Sequence, residues 1–284
     1  MSENKIYLCA ISNIESGTCN EDCKFCTQSV KYKADIQRYR RKEIEDIVKE
    51  AIIARQNRAI GFCLVTAGTG LDDKKLDYVC RAASAIKKEL GDELSLIACN
   101  GIATLEQLKE LKKHGIENYN HNLETAQEFY NEICTTHPWE DRYQTCLNAK
   151  EAGLQLCTGG IFGLGETQEN RISMLKSIAS LEPMSVPINF FHPNEALPIV
   201  KNSISREEAF DLIRLSREYL PNQMIMIAGG RELMFKEQEY DVFKHGANAL
   251  VVGDYLTTAG KTAQEDIDAI EALGYEIALD CKSR

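Results

Sequence analysis

Short, nearly continuous apolar runs alternate along the chain with longer segments in which apolar residues recur every three to four positions. The short runs are residues 6–11, 61–67, 94–100, 118–123, 154–163, 186–191, 224–230 and 249–254. Brief apolar stretches of this kind are expected of strands buried on both faces of a parallel sheet. The segments between them read as amphipathic helices. Ile44, Ile47, Val48, Ala51 and Ile52 share one face of the run that opens at residue 43. Leu76, Val79, Ala83, Ile86 and Leu90 give another, stopped by Gly91. Thr104 and Gln107 have capping-box spacing ahead of Leu105, Leu108 and Leu111, with a stop at Gly115. Ser205 and Glu208 repeat that spacing before a helix that ends at Leu220, ahead of Pro221.

From the second run onward, strand starts are 24 to 38 residues apart, the length of one strand–helix unit. Eight such units predict an α/β fold, a single (β/α)8 TIM-type barrel of parallel strands occupying residues 1–284 as one domain. A doubly wound open sheet is the alternative, and no Gly-rich dinucleotide fingerprint follows the first strand to support it. No linker, low-complexity tract or break in composition divides the chain. The gap between the first two strands is the longest, and it contains a loop of about residues 12–39 dense in cysteine.

Composition narrows the function classes. A net charge of −10 argues against a general nucleic-acid binder, which needs a basic face. No apolar run reaches bilayer length and the first residues lack a signal-peptide layout, so no membrane role and a cytoplasmic location are expected. The 11 cysteines form an odd set, which cannot pair completely within one chain, and in a reducing compartment clustered thiols point to metal ligation or redox chemistry.

The densest cluster is CNEDCKFC, with Cys19, Cys23 and Cys26 in a C-xxx-C-xx-C spacing. Three thiolates in one loop leave a coordination position open on a metal or iron–sulfur cluster. A closed zinc loop that borrows a distant His or Cys is the competing reading. The loop follows the first strand, on the barrel face where active sites sit.

With Phe25 ahead of the last cysteine, this motif resembles the radical S-adenosylmethionine enzymes. The segments CNEDCKFCTQS, YNHNLET, GGIFGLGET, VPINFF and GDYLTT narrow the resemblance to the biotin synthase family, in that family's order and over essentially the whole chain. The resemblance implies a sulfurtransferase that inserts sulfur into dethiobiotin. Cys19, Cys23 and Cys26 would hold a 4Fe–4S cluster whose fourth iron binds S-adenosylmethionine. Cys63, Cys99 and Cys157 match the family's ligands to a second, sulfur-donating 2Fe–2S cluster. Read without the resemblance, each of these is a small buried hydrophobe, although inward residues of a barrel converge in layers.

Further residues follow from the same likeness. Asn120 and Glu124 would face the adenosyl cofactor, with Glu124 standing where the family usually has Asp. Asn122 and Asn189 would contact dethiobiotin, Arg142 would hold the cofactor carboxylate, and Gly160 and Gly163 would let the backbone approach the adenine. One position departs. Counting back five from Arg231, where the family has an arginine ligand, gives Met226, whose thioether cannot replace a guanidine. The fourth ligand and type of the auxiliary cluster are therefore open. Among the spare thiols, Cys134 could reach the barrel mouth, Cys80 and Cys146 fall in helical stretches, Cys281 lies in a polar tail, and Cys9 on the first strand has no assigned role. His121 alternates to the outer face, and His137 and His192 fall in loops, so none is taken as a site residue.

A flavodoxin- or ferredoxin-type reductant and a homodimer complete the picture that the resemblance implies. Its rivals are a hydrogenase-maturation or methylornithine-forming enzyme on the same barrel, an iron–sulfur electron-transfer or iron-storage protein, and a Schiff-base aldolase. YNHN and the three barrel cysteines oppose the first, the interior asparagines the second, and the lack of lysine in any candidate strand the third.

Overall fold

The computed structural model describes residues 4–253 and 260–280. Most of the GDYLTT motif and Cys281 lie outside the described residues. The strands are β1 (Lys5–Glu15), β2 (Gly61–Thr66), β3 (Ser95–Cys99), β4 (Asn118–Asn120), β5 (Gln155–Cys157), β6 (Gly160–Phe162), β7 (Ser185–Phe190), β8 (Met224–Ile227), β9 (Ala249–Val251) and β10 (Glu276–Ile277). The helices are α1 (Ile44–Gln56), α2 (Asp73–Leu90), α3 (Leu105–Lys113), α4 (Tyr130–Ile133), α5 (Trp139–Glu151), α6 (Gln168–Ser180), α7 (Arg206–Tyr219), α8 (Arg231–Phe235) and α9 (Ala263–Ala272).

Strands β1 to β5 pair in sequence, β5 and β6 both pair β7, and β7, β8 and β9 continue the wall. Pairing of β9 with β1, through Tyr7↔Ala249 and Cys9↔Val251, closes it into a barrel in which every pairing is parallel. Because β5 and β6 together make one stave, the wall has the eight staves that the pattern predicts. Closure removes the exposed edges that an open sheet would leave.

Three boundaries differ from the sequence reading, each for a local reason. Strand β1 runs on to Glu15, so the cysteine loop starts later than residue 12. Strand β4 ends at Asn120, and Glu124 beyond it adopts φ 68°, outside strand geometry. The fifth run breaks between Cys157 and Gly160, where a Cβ on Gly159 would sit 1.8 Å from the Pro187 carbonyl oxygen. Proline has no N–H for the ladder, and only glycine lets the two backbones approach this closely.

The helix signals hold in detail. Thr104 with Gln107, and Ser205 with Glu208, form reciprocal capping boxes at α3 and α7. Phe62, Leu64 and Leu96 turn outward from the wall into the layer under the helices, where all are buried. Each such side chain contributes about 1.5–3 kcal/mol of burial. Alternate residues turn inward: Tyr7, Cys9, Met224, Met226, Ala228 and Val251 form one interior cluster, and Cys63, Val65 and Ile97 another.

Candidate active site

The loop after β1 holds the cysteine triad by backbone bonds. The Cys19 N–H donates to the Gln28 carbonyl at 3.3 Å, and the Cys19 carbonyl accepts from Val30 at 2.8 Å. Cys26 N–H donates to the Cys23 carbonyl at 3.0 Å, closing a tight turn between the last two thiols. The Asp22 carboxylate anchors the loop by accepting from the Thr135 N–H at 2.9 Å, and Lys24 N–H reaches the Ile133 carbonyl at 2.8 Å. None of the three cysteines is in a disulfide. Burial pushes Cys26 up to about 11 and raises Cys19 as well.

Cys26 and Phe25 face a cavity of about 400 Å³ at the open end of the barrel. Its walls carry Cys63, Cys99 and Cys157 from β2, β3 and β5. Cys63 stands opposite Ile97 and Val65 opposite Cys99, so the first two thiols are one pleat apart on neighbouring strands. A hydrogen bond from Cys63 to Cys99 raises the first thiol and lowers the second. Cys157 pairs in register with Asn120.

Cys9, to which the sequence reading gave no role, lines the same cavity. It stands beside Gly61 in register, and a Cβ there would lie 3.0 Å from the Cys9 sulfur. The missing side chain makes room for this fourth thiol. Met226 also faces the cavity, 6% exposed.

The polar residues divide into partnered and unpartnered groups. Asn189 Nδ2 donates to the Gly160 carbonyl at 3.2 Å and its Oδ1 accepts from the Gly229 N–H at 2.9 Å. Asn122 Oδ1 accepts from the Gly159 N–H at 3.2 Å. Both amides thus position backbone as well as face the cavity. Asn120 Nδ2 has only the Cys99 sulfur at 3.5 Å, and its Oδ1 is buried without a hydrogen-bond partner. Glu124 Oε2 is likewise buried and unpartnered, and burial raises its carboxyl above the ordinary value of 4.5. Such orphaned atoms cost roughly 1–3 kcal/mol each unless a ligand satisfies them.

Arg142 does not line the cavity but stands behind Glu124, with Nη1 3.5 Å from Oε1. Its Nη1 also donates to the Asn122 carbonyl at 2.9 Å and its Nε to the Tyr130 hydroxyl at 2.7 Å. Burial works against its charge, but Glu124 and Tyr130 overcome that and push the guanidinium up. Gly160 and Gly163 also lie off the cavity lining. Gly160 presses against Met174 and the Glu124 carbonyl, and the Gly163 N–H donates to Glu166 at 2.9 Å.

His121 packs beside Tyr119, and burial depresses its basicity. His137, set aside as a loop residue, is instead buried against Cys134, with Nδ1 3.5 Å from the sulfur, and Cys134 contacts Cys23 at 3.5 Å. The close C-xx-H spacing of Cys134 and His137 is the signal that could have found this pair.

Comparison with known proteins matches the Radical SAM superfamily over residues 14–178 and the Biotin and Thiamin Synthesis associated domain over residues 187–276. The biotin synthase of Aliarcobacter butzleri is 83% identical over 281 residues, covering 99% of both chains. That of a Nitratiruptor species is 64% identical over 277 residues, covering 98% of this chain and 99% of the other. Among solved structures, methylornithine synthase superposes with a TM-score of 0.83 at 19% identity, covering 97% of this chain and 84% of that one, a likeness of fold alone. By sequence, the chain belongs to the biotin synthase family of the Radical SAM superfamily.

Proposed function

We propose that this chain inserts sulfur into dethiobiotin to form biotin. The observation that carries the proposal is one cavity bounded by Cys26 of the loop triad, by Cys9, Cys63, Cys99 and Cys157 on the wall, and by Asn120, Asn122 and Asn189. The donor sets fit the groups that the family uses. Cys19, Cys23 and Cys26 would hold a 4Fe–4S cluster, and the unsatisfied oxygens of Asn120 and Glu124 fit an S-adenosylmethionine ligand that brings hydroxyl and amino donors. Cys63, Cys99 and Cys157 would hold an auxiliary iron–sulfur cluster, and Cys9 is placed to join them. When bound, these groups supply one-electron reductive cleavage, hydrogen abstraction and sulfur donation.

The chain's own residues bind, orient and seal. The amides of Asn122 and Asn189 offer donors and acceptors that match the ureido ring of dethiobiotin. Arg142 keeps the Glu124 side chain in place and sets a positive charge near the triad. Apolar wall residues Ile11, Val65 and Ile97 limit water around the reacting carbons. A flavodoxin- or ferredoxin-type reductant and a homodimeric assembly belong to the same reading.

The test is anaerobic reconstitution with iron and sulfide, followed by dethiobiotin, S-adenosylmethionine and dithionite. Biotin and 5′-deoxyadenosine should both form. 5′-Deoxyadenosine without biotin would refute sulfur insertion while leaving the cofactor chemistry standing.

A further inference from the structure

A second set of donor atoms shares Cys23 with the triad, and its other members have no part in the proposed reaction. Cys23 Sγ is 3.5 Å from Cys134 Sγ, and Cys134 Sγ is 3.5 Å from His137 Nδ1. Ligand atoms of these three residues all fall within 4.8 Å of one another, and the three side chains are buried. Glu21 Oε2 lies 2.7 Å from the same ring nitrogen, which brings a carboxylate to the edge of the group. On the other side of the imidazole, Nε2 meets the Tyr130 hydroxyl at 2.8 Å. An outer partner of this kind fixes the ring of a metal-binding histidine.

Two thiolates, one imidazole and a nearby carboxylate form a donor set for a borderline-soft, tetrahedral ion. Hard ions such as Mg²⁺ or Ca²⁺ prefer oxygen ligands and do not suit it. We propose that Cys23, Cys134 and His137 bind one Zn²⁺ ion in the cluster-free chain, with Glu21 available as the fourth ligand. Cys23 belongs to both this set and the loop triad. A thiolate held by zinc is withdrawn from cluster assembly, so zinc and the 4Fe–4S cluster compete for the same chain. That competition rests on the triad reading under Proposed function, whereas the zinc site itself does not.

The experiment uses Co²⁺ as a spectroscopic stand-in, titrated anaerobically into the full cluster-free chain carrying Cys19→Ala and Cys26→Ala. This background removes the other triad thiols. One equivalent should bind with the visible absorption of tetrahedral cobalt and a thiolate-to-cobalt charge-transfer band, and Zn²⁺ should displace it. Adding Cys134→Ser or His137→Ala should weaken binding by about tenfold or more. Cys134→Ser is close to isosteric, and an unchanged near-ultraviolet circular dichroism spectrum confirms its fold. Cobalt affinity and spectrum unchanged by both substitutions would overturn the site.

A second arm tests the competition. The wild-type chain preloaded with one equivalent of Zn²⁺ should regain the 4Fe–4S absorbance several-fold more slowly than the zinc-free chain, and Cys134→Ser should abolish the difference. Equal rates with and without zinc in the wild type would refute the competition. Failure of the zinc-free wild type to form any cluster, with the cobalt signature intact, would count against the triad reading and support the site.

Discussion

Arg142 and Glu124 form a largely buried ion pair, Nη1 to Oε1 at 3.5 Å, just past the end of β4. Glu124 needs this partner, because its second oxygen has none and its backbone holds a left-handed φ of 68°. Replacing Arg142 with Met should destabilise the cluster-free chain by roughly 3–5 kcal/mol, since a buried carboxylate is left uncompensated. Burial already raises Glu124 above 4.5, so in the pH range just above 4.5 the folded chain keeps a proton that the unfolded chain has released. The associated stability is full below pH 4.5 and is lost as pH rises through the folded value. Without Arg142 that value climbs further, so the deficit of Arg142→Met should be larger at pH 7.5 than at pH 5. Urea denaturation at both pH values measures it, and equal deficits would contradict the pairing.

The loop triad gives the second prediction. Ala at Cys19, Cys23 or Cys26 should abolish 5′-deoxyadenosine formation under dithionite, because two thiolates cannot hold a cluster with one open iron. Wild-type yield from any one variant removes that residue from the ligand set.

Asn120 and Asn189 should separate binding from folding. Asn189→Ala removes hydrogen bonds to Gly160 and Gly229 and should cost about 1–3 kcal/mol of stability. Asn120→Ala removes a buried oxygen that has no partner, so stability should hold or rise while S-adenosylmethionine affinity falls. Thermal melts and equilibrium dialysis distinguish the two. A destabilised Asn120→Ala chain with normal cofactor affinity would show that the orphaned oxygen serves the fold.

Met226 and Cys9 line the same cavity as Cys63, Cys99 and Cys157. Met226→Leu keeps volume and apolar character and should leave auxiliary iron and biotin yield intact. Cys9→Ser should lower auxiliary iron while the 4Fe–4S signal persists. Mössbauer spectroscopy with iron counting reads both. Auxiliary iron lost in Met226→Leu but retained in Cys9→Ser would reverse these roles.

Where local rules governed, the sequence was readable. Capping boxes at Thr104 and Ser205 and the Gly91 stop of α2 depend on neighbours a few residues away. Asn120 lines the cavity from the last residue of β4, whereas Glu124 reaches it from beyond the strand, where a period of two no longer applies. The break at Gly159 depends on Pro187, a strand away. The contact between Cys23 and Cys134 joins two loops by tertiary packing, with His137 carried in beside them, and no periodicity reports such a meeting. Cys9 was hidden for the opposite reason: a cysteine in an apolar strand looks like packing until its neighbour proves to be Gly61.

The seam between β1 and β9 sets a timetable for the chain. Tyr7 and Cys9 are each 242 residues ahead of their partners Ala249 and Val251. Bringing such distant segments together carries the loop-closure cost of almost the whole polypeptide, so sealing the wall is expected late in folding. An unsealed wall would leave the thiols of Cys9, Cys63, Cys99 and Cys157 on an open sheet face, within reach of oxidants and stray metals. The cysteines of the early strands therefore depend for their shelter on a segment made 242 residues after Cys9.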